Sequence, residues 1–219
     1  MNFHKISEKK SIFKRLSLTT NLIVLNVLFF IVMLFFSGEF IGKFIALDPF
    51  YILKGKFLWT FVSSMFMHAG FFHLFVNMLS LFFVGSLIEQ LLGRKRYFWF
   101  YLLSGIFAGF IYVGFYLLSG DLTLNVPAVG ASGALFGLIG LLMVLTPNLK
   151  VYMMFIPIPI KMKYAAPGML IVLWLVSIVG HLGIGNTAHL GGLIAGLIYG
   201  FYLKRKFPKK TKYISRRFS

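Results

Sequence analysis

The apolar residues of this chain gather into six long runs separated by short polar segments. Runs of this length are typical of helices that cross the hydrocarbon core of a membrane, which is about 30 Å thick. Backbone groups in hydrocarbon must bond internally, and the runs lack the alternation of a β-barrel, so helices are predicted. The predicted spans are residues 20–38, 69–91, 97–118, 131–146, 166–181 and 187–203.

The overall composition supports a membrane protein. Of the 219 residues, 59% are hydrophobic and only 12% are charged, which is more apolar surface than a water-soluble domain can bury. The fourth run ends before Pro147 and is short for a full span, so its start is expected to lie inside the protein, below the membrane surface. The predicted fold class is therefore an all-α polytopic bundle of six transmembrane helices.

The basic residues predict the orientation of these helices. Five precede the first span, three follow the second, three lie between the fourth and fifth, and eight follow Leu203. The opposite side carries only Lys43, Lys54 and Lys56. Such a bias places both termini in the cytoplasm, so the even-numbered helices begin at the outer face. The net charge of +17 then indicates attraction to anionic lipid headgroups of the bilayer, and no nucleic acid is needed to explain it.

One domain is expected, flanked by basic ends. Residues 1–19 are predicted to be a cytoplasmic N-terminus, 20–203 the six-helix domain and 204–219 a mobile cytoplasmic tail. The N-terminus also resembles a signal peptide, but the first apolar run is long and lacks an A-x-A cleavage site, which favours a retained helix. The aromatic loop from Glu39 to about Met67 is expected to lie in the membrane interface and to pack on the bundle.

A few polar residues interrupt the apolar runs, and they carry the functional signal because polar groups are costly to place in a membrane. They are His68, His73, Asn77, Ser132 and His189. All lie at or near the starts of even-numbered helices, which run inward from the outer face. The topology therefore predicts that these residues meet at a similar depth, although they are far apart in the sequence.

Their chemistry suits acyl transfer. Ser132 follows a glycine-containing turn at a helix start, where free backbone N–H groups favour a developing negative charge. His73 and Asn77 are four residues apart on one helix face and can both donate hydrogen bonds toward one point, as an oxyanion hole requires. His189 can take the serine proton and return it to a leaving amine.

Structural roles remain open for each of these residues. A serine between glycines at a helix start is often a packing residue or a cap, and a lone histidine in a membrane is often a structural hydrogen-bonding group. Small residues at helical spacing let two backbones approach closely, and that approach would also bring Ser132 beside His189. These are Gly133, Gly137 and Gly140 of span four and Gly192, Gly196 and Gly200 of span six.

Other hydrolytic chemistries lack their residues. The chain has no cysteine, and none of its five acidic residues lies near a histidine pair, which argues against thiol and zinc proteases. An aspartyl mechanism needs two membrane carboxylates, and only Glu89, near the inner end of span two, comes close. A Ser-His-Asp triad is also disfavoured, because no acidic residue lies at the depth of the serine and the histidines. A serine–histidine dyad remains, with no metal and no cofactor predicted, and its histidine held by packing or by a partner other than a carboxylate.

Several separated motifs, in order, resemble those of the rhomboid intramembrane serine proteases. "HAGFFHLFVN" is similar to the family pattern H-x-x-x-x-H-x-x-x-N, "GASG" to G-x-S-G, and "AHLGGLIAG" to A-H-x-x-G-x-x-x-G. "GSLIEQLLG" resembles the end of the family's second helix, and "FIPIPIKMKY" resembles an inner loop of many bacterial members. The resemblance runs from about Trp59 to Gly200.

The resemblance implies a function and roles for single residues. Ser132 would be the nucleophile, His189 the general base and acid, and the Ser132 backbone N–H would join His73 and Asn77 in the oxyanion hole. His68 would be supportive and Glu89 a structural anchor. Supporting roles are also implied for Phe136, Gly130, Gly133, Gly192 and Gly196.

The implied substrates are other transmembrane proteins, cut at the outer side of the membrane. Span five and the loop from Gly180 to Asn186 are expected to form a gate and cap. A bacterial plasma membrane is the expected location, and the oligomeric state stays open, a monomer included. The main alternative is a rhomboid-like chaperone that binds transmembrane helices without cutting them; a transporter is disfavoured because no buried charged pathway is present.

Two positions depart from the family pattern. Thr60 follows Trp59 where the family often has arginine, which puts in doubt a loop contact of that arginine. Phe136 stands where a tyrosine commonly stacks on the catalytic histidine, so the stack can form but its hydroxyl is lost. His181, in the loop before span six, matches no assigned role.

Overall fold

The computed structural model describes residues 16–119, 126–152, 157–180, 183 and 185–218, and these residues are mostly helical. Predictions for the first 15 residues and for His181 lie outside this part of the chain. The described helices are α1 (Leu18–Met33), α2 (Gly38–Phe44), α3 (Pro49–Leu53), α4 (Thr60–Ser63), α5 (Phe71–Leu92), α6 (Arg94–Ser119), α7 (Ser132–Leu145), α8 (Met162–Val179), α9 (Asn186–Lys206) and α10 (Pro208–Arg217).

A helix overlaps each predicted span, which confirms a mostly helical chain. By length and composition, α5, α6 and α8 can cross a membrane. The apolar helices α1 and α7 are shorter, at 16 and 14 residues. Six crossings therefore remain a prediction, whereas the shortness of α7 agrees with the sequence.

Helix α7 is the centre of the bundle. Twelve of its 14 residues are buried, because α6 and α9 pack along it and α8 and α5 also touch it. A helix that is apolar on every side is expected to be surrounded by other helices. The start of α7 therefore lies within the protein and not at its periphery.

Glycines allow α9 to approach α7 at backbone contact. A Cβ atom built at Gly140 would lie 2.5 Å from the carbonyl oxygen of Leu193, and one at Gly196 would lie 2.8 Å from the Cα of Gly140. Real side chains do not tolerate such distances, so these positions admit only glycine without a shift of the helices. The close packing predicted for this glycine pattern is present.

The segment between α1 and α5 is folded into the short helices α2, α3 and α4. Side-chain hydrogen bonds join its parts: Trp59 Nε1 donates to the carbonyl of Phe44 at 2.9 Å, and Ser63 Oγ donates to that of Ile45 at 2.9 Å. Helices α3 and α4 pack against α6. The predicted packing of this loop on the bundle is thus present, and its location in the membrane interface stays a prediction.

Two stretches differ from the sequence-based expectation. Helix α1 ends at Met33 and not at residue 38, because Ser37 adopts an extended conformation and caps the next helix through a hydrogen bond from Phe40 N–H. Residues 204–206 continue α9 and Pro208–Arg217 form α10, where a mobile tail was expected. Pro208 begins α10, which suits a residue without an N–H at the first helical position.

Two local features add to the predicted helices. Residues Leu81–Gly85 form a π-helical segment inside α5. The loop before α8 contains an antiparallel hairpin of β1 (Lys150–Tyr152) and β2 (Pro159–Lys161), so the fold is not purely helical. Helix α8 begins at Met162, ahead of Pro167, which lies inside it.

Candidate active site

Ser132 is the first residue of α7, directly after a turn at Gly130. Gly130 has φ of +121°, and its N–H donates to the carbonyl of Ser64 at 2.8 Å. A Cβ atom there would lie 2.8 Å from Cε1 and 2.9 Å from Nε2 of His73. Glycine is needed both for this backbone conformation and for the close approach of the imidazole. Because Gly130 has no side chain, the imidazole of His73 can lie next to the start of α7, where Ser132 is located.

His189 lies in the first turn of α9 and contacts Ser132. Its Nε2 is 2.7 Å from Ser132 Oγ, a hydrogen-bond distance. The imidazole is only 7% exposed, and it stacks on Phe136 with ring centroids 4.6 Å apart and an interplanar angle of 18°. The stack expected at this position thus forms with phenylalanine, and it fixes the plane of the ring.

The contact suits proton transfer from serine to histidine. When Nδ1 of His189 carries the proton, Nε2 is an acceptor and Ser132 Oγ–H donates to it. Nδ1 is buried and has no hydrogen-bond partner among the described residues. The pair has the geometry of a nucleophile beside its base, as the sequence predicts for these two positions.

His73 lies in the first turn of α5, and its ring faces the turn at Gly130. Its Nδ1 accepts a hydrogen bond from the N–H of Ala69 at 3.4 Å, so Nε2 is the nitrogen that carries the proton. That nitrogen is the one near Gly130. His73 can therefore present an N–H donor at the start of α7.

Asn77 follows one turn later on α5. Its side chain is buried, and its Nδ2 donates to the carbonyl of His73 at 2.8 Å. An amide nitrogen carries two hydrogens, so one remains for a second acceptor. The structure thus places Asn77 beside His73, and the donation of Asn77 to an oxyanion stays a prediction.

His68 contacts the turn that precedes Ser132. It is fully buried, its ring meets that of His73 edge-on at 5.1 Å, and its Nε2 accepts from the N–H of Ala131 at 3.5 Å. Burial, with a smaller contribution from His73, lowers the pKa of His68 to about 4. A neutral imidazole can therefore hold the loop that carries Ser132, consistent with the supportive role implied for it.

Glu89 lies at the far end of α5 from these residues. Its carboxylate accepts hydrogen bonds from the N–H groups of Leu18 and Thr19 at 2.7 and 2.9 Å, and from the Thr19 hydroxyl at 2.8 Å. A carboxylate at the start of α1 is favoured by the positive end of that helix. Glu89 joins α1 to α5, as expected of an anchor. Thr60 is buried, and its hydroxyl has no hydrogen-bond partner among the described residues.

Asn186 was not singled out by the sequence-based reasoning. It is the first residue of α9, three residues before His189, and it is buried. Its spacing from His189 is the signal that was available, because residues three apart share a helix face. Nothing in the apolar pattern marked it, since it stands at the boundary between a glycine-rich loop and a helix.

Comparisons with known proteins agree with the motifs. Residues 56–206 match the family model described as Rhomboid domain. The chain is 30% identical to Rhomboid protein 1, mitochondrial, of Saccharomyces cerevisiae over 182 residues, 80% of this chain and 49% of that protein. It is 35% identical to RHOMBOID-like protein 1 of Arabidopsis thaliana over 161 residues, 71% of this chain and 37% of that protein.

A third relative is named as inactive. The chain is 35% identical to Inactive RHOMBOID-like protein 8 of Arabidopsis thaliana over 141 residues, 63% of this chain and 36% of that protein. The chain spans half or less of the length of these relatives. They come from a yeast and a plant, and they do not support the predicted bacterial plasma membrane. The matched region contains the whole site, and the chain belongs to the rhomboid family.

Proposed function

We propose that this protein is an intramembrane serine endopeptidase that cuts other transmembrane proteins with a Ser132–His189 dyad. The observation that carries the proposal is the 2.7 Å contact between Ser132 Oγ and His189 Nε2. Serine hydroxyls are weak nucleophiles at neutral pH, and an adjacent base is the usual means of activating them. A serine used only for packing would not need a buried imidazole at this distance.

In the proposed reaction, Ser132 Oγ attacks the carbonyl carbon of the scissile peptide bond while its proton passes to His189 Nε2. The tetrahedral intermediate then collapses, and His189 gives the proton to the leaving amine. An ester between Ser132 and the substrate remains. Water attacks that ester with His189 again taking a proton, and the serine and the carboxylic product are released.

Three donors are proposed for the negative oxygen of the intermediate: Nε2–H of His73, the side-chain amide of Asn77 and the backbone N–H of Ser132. The closeness of His73 to Gly130 and the first position of Ser132 in α7 support this role. The first N–H groups of a helix have no carbonyl partner within it. Preorganised donors of this kind stabilise the transition state.

The substrate class follows from where the dyad lies. Ser132, His189 and His73 are at the starts of α7, α9 and α5, so the site is near one end of the bundle. Helix α8 is proposed as the gate for a substrate helix. Its support is an exposed apolar surface that includes Ile171, Leu175 and Val179. The loop from 180 to 186 belongs to the same prediction, but its residues 181, 182 and 184 lie outside the part of the chain that the structure describes. We place both termini on the cytoplasmic side and the site toward the outer side.

A non-catalytic membrane chaperone is the second candidate, because one relative is named as inactive. The contact between Ser132 and His189 favours the protease over this candidate, since a protein that only binds helices has no use for an activated serine. Both candidates share the bilayer and transmembrane helices as partners.

A substrate panel distinguishes the two. Purified protein in detergent is incubated with labelled single-span proteins and with a fluorophosphonate probe, alongside Ser132→Ala. The proposal expects cleavage and labelling of the wild type only. Equal cleavage by both proteins, or no reaction of the wild type with any substrate or probe, contradicts it.

A further inference from the structure

The first turn of α9 contains two polar atoms that have no hydrogen-bond partner among the described residues. Asn186 is 8% exposed and His189 is 7% exposed. Among the residues that the structure describes, neither Asn186 Oδ1 nor His189 Nδ1 has a hydrogen-bond partner, and both atoms are buried. Buried polar groups are almost always hydrogen-bonded, so two unpaired atoms on one helical turn need an explanation.

The two atoms are complementary. Residues 186 and 189 are three apart in a helix, so their side chains are neighbours on one face. When the Ser132 hydroxyl donates to Nε2 of His189, the ring proton is on Nδ1, which is then a donor. The amide oxygen of Asn186 can only accept.

Helix capping does not account for the asparagine. Asparagine near a helix start usually accepts from a backbone N–H of the first turn. Oδ1 of Asn186 accepts from none of the described groups. The oxygen is therefore available as an acceptor for a neighbouring side chain on the same face of α9.

We propose that Asn186 is a positioning residue for His189. Its Oδ1 accepts the Nδ1–H of His189, after a side-chain rotation or through one bridging water, both before and after a substrate binds. This hydrogen bond fixes the tautomer in which Nε2 is the base, and it stabilises the imidazolium formed after proton transfer. The inference rests on the proposed function, and Asn186 itself touches no reacting atom.

The tautomer can be measured without any turnover. Protein carrying ¹⁵N-labelled histidine is studied by NMR in detergent micelles, and His189→Gln identifies the signals of residue 189. The wild type is expected to have Nδ1 protonated and Nε2 unprotonated. Asn186→Leu is expected to shift His189 toward the other tautomer. A wild-type ring protonated at Nε2, or a tautomer unchanged in Asn186→Leu, overturns the inference.

Kinetic measurements provide a second test, because a residue used only for packing would not change the pH profile of cleavage. Asn186→Leu is expected to lower kcat about tenfold with little change in KM, because one hydrogen bond of the transition state is lost. Asn186→Asp is expected to retain activity and to move the acidic limb of the pH profile upward by about one unit, since a carboxylate favours the imidazolium. Thr187→Val, next to it in the same turn, is the control and should match the wild type.

His73 interacts electrostatically with His189, so the acidic limb belongs to the pair. His73 is unchanged in every variant, and a difference between variants therefore reports residue 186. If the Asn186→Asp variant is as slow as the leucine variant and its limb does not move, the role of Asn186 is purely structural and the inference is contradicted.

The two failures are distinguishable. If the wild type cleaves nothing and does not label, the proposed function falls, and the NMR tautomer still decides whether Asn186 orients His189. If cleavage depends on Ser132, but substitution of Asn186 changes neither the His189 tautomer nor the acidic limb of the pH profile, only the positioning role is contradicted.

Discussion

A methyl group at Gly192 tests how closely α9 must lie against α7 for the dyad to form. A Cβ atom there would lie 3.0 Å from the carbonyl carbon of Gly133 and 3.2 Å from the nitrogen of Gly137, and it would overlap the Gly133 oxygen. All three are backbone atoms, so a rotamer change cannot relieve the contact. In Gly192→Ala the two helices must therefore separate.

The required separation is large on the scale of a hydrogen bond. Ordinary contact begins at 3.4 Å, so clearing the carbonyl carbon needs a shift of at least about 0.4 Å, and clearing the oxygen needs more. The Ser132–His189 distance is 2.7 Å, and about 0.5 Å takes it to the long limit of a hydrogen bond. Gly192 is three residues from His189, so the shift acts directly on the dyad.

The expected loss follows from this misplacement. Displacement by about 1 Å costs roughly 100-fold in rate, so Gly192→Ala should lower kcat by about 10 to 100-fold. Overpacking should also lower the free energy of unfolding by about 1–3 kcal/mol. Both are measured in detergent, by cleavage of a labelled substrate and by thermal unfolding.

A matched glycine lies in α6. A Cβ atom at Gly114 meets nothing within 4 Å, so Gly114→Ala should leave activity unchanged and stability equal or slightly higher, because alanine favours a helix. Cleavage by Gly192→Ala at the wild-type rate, or an equal loss of activity in Gly114→Ala, would show that the dyad does not depend on close packing of α9 against α7.

Three further predictions concern residues around the dyad and at the far end of α5. Asn77→Ala should slow cleavage by about 10 to 100-fold, because one oxyanion donor is lost while others remain, and an unchanged rate would remove Asn77 from the site. Glu89→Gln should lower the free energy of unfolding by about 1.5–3 kcal/mol through the weakened hydrogen bonds to α1, with activity of the folded protein retained; an unchanged Tm would contradict this. Because the folded pKa of His68 is about 4 and its ordinary value is 6.5, the unfolded chain binds the proton first, so stability should fall as pH drops from about 6.5 to 4. That pH dependence should be weaker in His68→Gln, and identical curves for the two proteins would exclude His68 as its source.

The helices, and the end of the bundle at which the polar residues gather, could be predicted because both follow from patterns that extend along the whole sequence. Apolar runs of membrane length leave little choice but helices, and the bias of basic residues orders their directions. Those directions alone bring His73, Ser132 and His189 to one end of the bundle. The glycines of α7 and α9 then predict the close contact that the structure contains.

The rest depends on local geometry that the apolar pattern does not encode. The early end of α1 depends on Ser37, whose capping role competes with continuation of the helix. The π-helical segment at Leu81–Gly85 has the same composition as ordinary helix around it. Asn186 Oδ1 has no hydrogen-bond partner among the described residues, and this is found only when the partners of every buried polar atom are assigned.

The most direct test of the activated serine is mass spectrometry of the protein after reaction with a fluorophosphonate. The probe forms a stable adduct with a serine whose hydroxyl is deprotonated by a neighbouring base. One adduct, on Ser132, is predicted for the wild type, and almost none for His189→Gln. An adduct on another residue, or equal labelling of Ser132 in His189→Gln, would contradict the dyad.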